Sequence, residues 1–94
     1  MRRRVVITGM GWITPLGHEI DAVWKRLLNG ESGVTKTEIF DATTFPTTFS
    51  SQVKNFDLAD FLGAEAADHA NASRNTRFAL AASKLAWTDS GLQT

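Results

Sequence analysis

The sequence predicts an α/β fold, and three observations carry that prediction. Val5-Val6-Ile7 is a β-branched run with no alternation of polar residues, the pattern of a strand buried on both faces. Gly9 and Gly11 follow at once and end that strand in a turn where the backbone can take positive φ or lie close against another segment. Pro15 and Gly17 keep the next residues out of a helix, and a helical period begins only after Gly17. A strand buried on both faces requires partners on both edges and helices above and below it. The remaining residues offer only one or two further strand candidates, so the pattern reads as a fragment of a larger sheet structure.

The elements follow in order. Between His18 and Gly30, residues Ile20, Val23, Trp24, Leu27 and Leu28 share one helical face, while Glu19, Lys25 and Arg26 lie elsewhere. Glu19 and Asp21 near the start and Lys25 and Arg26 near the end complement the helix dipole, and Asn29-Gly30 supplies a left-handed stop. This helix is expected to pack inward on a sheet, each large apolar side chain contributing roughly 1.5–3 kcal/mol if fully buried. Glu31 to Thr48 is rich in Ser, Thr and Gly without a sustained period and reads as an extended excursion pinned down by Phe40, Phe45 and Phe49. Phe49 to Val53 reads as a short edge strand with Phe49, Ser51 and Val53 facing one way.

Asp57 is placed to cap a short helix, Leu58 to Leu62, closed by Gly63. Ala64 to Ala72 is alanine-rich and acidic; it is helical by propensity yet has little to bury. Ser73 caps the last helix, where Phe78, Ala81, Ala82, Leu85 and Ala86 form a stripe of mostly small residues, and Gly91 ends it. The chain then stands where a crossover helix would hand over to the next strand of a sheet. No internal repeat, low-complexity tract or linker is apparent.

Composition narrows the function classes. The 94 residues carry ten basic and ten acidic side chains, so no long-range field draws the chain to nucleic acid or to a membrane. No cysteine is present, which excludes disulfides, thiolate metal sites and a cysteine nucleophile within these residues. Arg2, Arg3 and Arg4 ahead of an apolar stretch imitate a signal peptide. Thr8, Gly9, Gly11, Thr14 and Pro15 interrupt that stretch, however, and no small-x-small cleavage site follows, so a cytoplasmic location is expected.

The glycines miss the spacing of both nucleotide motifs. G-x-G-x-x-G would need glycine where Thr14 stands, and a phosphate loop would need four residues between Gly11 and Gly17 and then lysine, where His18 stands. A tight turn allowing close approach is the better reading. His18 and His69 have no second histidine or cysteine at ligand spacing, so neither metal nor cofactor is expected. Asp57 with Asp60, and Glu65 with Asp68, lie three apart on short helical pieces and read as caps or solvated faces. Trp24 and Trp87 fit helical packing. Trp12 either lines a pocket or fills space, and large aromatics usually pack.

One resemblance spans nearly the whole chain. Arg4-Val5-Val6-Ile7-Thr8-Gly9-Met10-Gly11, Thr14-Pro15-Leu16-Gly17, Trp24 and Glu31-Ser32-Gly33 occur in the order seen at the opening of β-ketoacyl-[acyl carrier protein] synthases of the elongating, synthase II-like type. The likeness continues through Phe40-Asp41, Phe45-Pro46, Val53 to Asp57 and Ala79-Leu80-Ala81-Ala82 to Asp89-Ser90-Gly91-Leu92. It implies the N-terminal portion of a thiolase-like layered fold with a mixed sheet between helices. Residues 1–94 would then belong to the N-terminal half of a homodimeric condensing enzyme, with no complete second domain.

The resemblance also implies chemistry. In that family a cysteine at a helix N-terminus takes an acyl group as a thioester, and two histidines assist decarboxylation of a malonyl unit on the carrier protein. None of those residues lies in this chain, so the 94 residues alone are expected to be inactive. Family members are commonly basic just before the last helix, where they receive acyl carrier protein. Here Gly63 to Ser73 lacks lysine and arginine, leaving Arg74 and Arg77 as the nearest cations for such a partner or as ordinary surface arginines. The alternatives to an enzyme are a small non-catalytic interaction module and a synthase-like subunit that has lost its nucleophile.

Overall fold

A computed structural model describes residues 2–92. They divide into two compact units, one formed by Ile13–Phe56 and the other by the chain up to Trp12 together with the chain from Asp57 onward. No described helix is long and apolar enough to cross a membrane.

The Ile13–Phe56 unit opens on a turn in which Thr14 and Gly17 exchange two backbone hydrogen bonds of 3.0 Å. Thr14 Oγ1 donates to the Gly17 carbonyl at 2.7 Å and accepts from Leu16 N at 3.2 Å, so the side chain locks the turn as well. Helix α1 (Ile20–Leu28) follows, with Asp21 in its first turn and Lys25 and Arg26 in its last, as the dipole favours. Arg26 Nη1 reaches back to the Leu16 carbonyl and ties the helix to the turn. Inward packing is realised by Val23, which is buried, and in part by Ile20. Trp24 and Leu28 are 56% and 68% exposed, and Leu27 is exposed too, which corrects the expectation of a docked apolar face and of a packed Trp24. Periodicity says which side chains share a face; only a covering element buries it.

Strand β1 (Val34–Lys36) pairs antiparallel with β2 (Phe49–Ser51), Val34 opposite Ser51, Thr35 opposite Ser50 and Lys36 opposite Phe49. The ladder extends through Thr37 N to the Thr48 carbonyl at 2.9 Å, and a 2.8 Å bond joins the hydroxyls of Thr37 and Ser50. Glu38 meets Lys54 at 3.2 Å, and its backbone N–H donates to Gln52 Oε1 at 3.0 Å. β1 lies inside the stretch read as irregular, because three residues give too little alternation to register as a strand. β2 stops at Ser51 instead of reaching Val53, and both strands are edges of a two-stranded sheet. Phe40 and Phe45 contact each other edge-on at 5.5 Å, but both remain exposed, as does Phe49. The buried residues of that excursion are Thr37 and Ala42, so the three aromatics are not its anchors.

In the other unit Asp57 Oδ1 accepts from Ala59 N at 3.0 Å and starts α2 (Ala59–Leu62), with Leu58 buried beneath it. The alanine-rich stretch winds as a 3₁₀ helix (Gly63–His69), the tighter form available to a segment with little to bury. Helix α3 (Arg74–Ser90) begins at Ser73, whose Oγ accepts from Thr76 N at 3.2 Å, and ends at Gly91 with φ 72°. Its stripe is inward as expected: Ala81 is fully buried, and Phe78, Ala82, Leu85 and Ala86 are half-buried. Trp87 lies off that stripe and is exposed, against the expectation that it packs. The expected first strand is not formed. Val5, Val6 and Ile7 are 94%, 65% and 83% exposed, and no described strand pairs with them. A β-branched run becomes a strand only when a neighbour accepts its ladder of hydrogen bonds.

Candidate functional site

Helix α3 meets the two features singled out from the sequence: Gly9 and Gly11 lie against it, and the arginine pair stands at its start. Ala82, Ala86 and Ser90 recur every fourth residue and so form a lane of small side chains along one side of the helix. Gly9 and Gly11 lie on that lane. A Cβ at Gly9 would stand 2.8 Å from Ser90 Cα and would also collide with the Ala86 carbonyl oxygen. One at Gly11 would stand 2.6 Å from Ala86 N and 2.7 Å from Leu85 Cβ, and would collide with the Ala82 carbonyl oxygen. These separations are well inside van der Waals contact, and most of the obstructing atoms are backbone. Met10 N between the glycines donates to Asp89 Oδ2 at 2.9 Å. Neither Gly9 nor Gly11 has a positive φ and no turn forms there, which corrects the expected turn, while the close approach expected of these glycines is met, so the segment is a packing device. Trp12 at its end is half-buried, and its Nε1 is buried without a hydrogen-bond partner among the described residues.

The arginines sit at the opposite end of α3. The Arg74 guanidinium lies 4.7 Å from the centre of the Phe78 ring, a cation–π arrangement one helical turn along. Arg77 Nη2 donates to the Ala70 carbonyl at 2.6 Å and ties the residues after the 3₁₀ helix to the first turn of α3. The pair thus divides: Arg74 is exposed, whereas Arg77 is half-buried and acts as a tether. The hydroxyls of Ser73 and Thr76 bond to each other at 3.0 Å within the cap.

His18 and His69 belong to different units. Among the described residues no three His, Cys, Asp or Glu side chains gather at metal-binding distance. Asp41 is the carboxyl whose environment displaces its pKa: the Thr43 backbone N–H and then the Thr43 hydroxyl hold it below the usual carboxylate value, outweighing a small opposing desolvation. Its role is to close a loop, since Asp41 Oδ1 accepts from Thr43 N at 3.0 Å. Chemically the arrangement holds backbone segments together. The Met10–Asp89 and Arg77–Ala70 bonds have no sequence signature. The small-residue lane does, because Gly-x-Gly puts both glycines on one side of an extended chain and Ala82, Ala86 and Ser90 repeat at the helical spacing.

The chain is similar to known proteins along nearly its whole length. The model of the β-ketoacyl synthase N-terminal domain matches residues 2–94. The chain is 40% identical over 92 residues to the 3-oxoacyl-[acyl-carrier-protein] synthase 2 of Vibrio harveyi, covering 98% of this chain and 22% of that protein. It is 35% identical over 91 residues to a granaticin polyketide putative beta-ketoacyl synthase 2 of Streptomyces violaceoruber, covering 97% of this chain and 21% of that protein. The chain therefore spans about a fifth of the length of these relatives. Among solved structures, the ishigamide ketosynthase/chain length factor superposes with a TM-score of 0.82 at 28% identity, over 99% of this chain and 23% of that chain. That superposition bears out the thiolase-like α/β class expected from the sequence. By its match from residue 2 to residue 94 and by its backbone, the chain belongs to the β-ketoacyl synthase family, within the N-terminal domain.

Proposed function

We propose that this chain is the N-terminal part of a condensing enzyme, an acyltransferase of fatty-acid or polyketide synthesis. The parent protein joins an acyl thioester to a malonyl unit held on acyl carrier protein, with loss of carbon dioxide. The family match over residues 2–94 carries this reading. In the reaction a cysteine thiolate displaces the donor thiol and holds the acyl group as a thioester. Decarboxylation of the malonyl unit leaves a carbanion that attacks that thioester and expels the cysteine. This chain contains no cysteine, so its part is structural: it supplies the Gly9–Gly11 segment and the helix on which that segment rests. The parent is expected to be a cytoplasmic homodimer. The test is to assay the parent protein and the 94-residue chain side by side with acyl and malonyl carrier-protein thioesters. Condensation by the parent and none by the chain is the expected result; turnover by the chain alone would overturn it.

Carrier protein is proposed to approach the start of α3, where Arg74 is the exposed cation and Arg77 holds the adjoining segment in place. In the parent, Arg74→Glu should raise the KM for malonyl carrier protein severalfold and leave kcat with a small malonyl thioester unchanged. An unchanged KM would remove Arg74 from the partner surface. The lack of lysine and arginine from Gly63 to Ser73 favours a second reading, a synthase-like subunit without a nucleophile or a non-catalytic interaction module. A parent that neither binds carrier protein nor forms an acyl-cysteine with a labelled acyl thioester would favour it over the enzyme.

A further inference from the structure

We draw no further inference here: the strongest candidate, the uncovered apolar strip of Val5, Val6 and Ile7 ahead of Gly9 and Gly11, carries none because nothing in the structure shows what covers it.

Discussion

Helices α1 and α3 invert the usual relation between apolar character and burial. α1 buries Val23 but leaves the three largest side chains of its apolar face, Trp24, Leu27 and Leu28, exposed. α3 offers mainly alanine, and its Ala81 is fully buried. What separates them is the neighbour each one meets. The small residues of α3 admit a glycine backbone at close range, so the covering segment needs no side chain of its own there. On α1 the cover reaches Val23 and in part Ile20 but not Trp24, Leu27 or Leu28, and Arg26 ties the helix to the Leu16 carbonyl. Burial is a property of pairs of surfaces, and a large side chain contributes only once something excludes water from it.

Substitutions on the two helices and their partners should separate these cases. The largest effect is expected at Gly11, where the obstruction is mainly backbone: Gly11→Val should cost about 3 kcal/mol, the upper part of the usual overpacking range, read as a shift of the urea midpoint. A variant as stable as the parent would mean that Gly9 and Gly11 do not rest on α3. Leu28→Ala is the opposing control. Although it removes a large apolar side chain from a helix, its exposure limits the expected change to about 0.5 kcal/mol. A loss of several times that amount would show that the α1 face is covered in solution.

The smallest effect is expected at Asp41, a fully exposed carboxyl held below its ordinary value by Thr43. Because its folded pKa is the lower one, its contribution is present above the unfolded value and is lost as pH falls through the folded value. Asp41→Asn should therefore lose a small amount of stability at neutral pH and converge with the unsubstituted chain as pH falls through the folded value, so that its stability varies less across the acidic range. An identical acid profile for both proteins would contradict the Thr43 contacts.

Much of this arrangement is legible without coordinates because it is local. Asp57 and Ser73 start helices, Gly63 and Gly91 stop them, and the α3 stripe runs where the period puts it. Each depends on residues within a turn or so of one another, where side-chain chemistry and backbone preference act directly. The candidate site is legible in its residues and not in their roles. Gly9, Gly11, Arg74 and Arg77 stand out in the sequence, yet the division of the arginines into an exposed cation and a tether rests on the Ala70 carbonyl, which carries no distinctive side chain. The short β1–β2 pairing and the burial of Ala42 were equally hidden, since neither leaves a periodic trace.

The sequence by itself determined the helix boundaries to within a few residues, the close approach at Gly9 and Gly11 and the family to which they point. Only the tertiary structure decided that these glycines lie against Ala82, Ala86 and Ser90, that Val5 to Ile7 pairs with no described strand, and that Trp24, Leu27 and Leu28 of α1 stay exposed. The physical reason is range. Caps and periods are set by neighbours along the chain, whereas strand pairing and burial are set by surfaces brought together from distant positions in it.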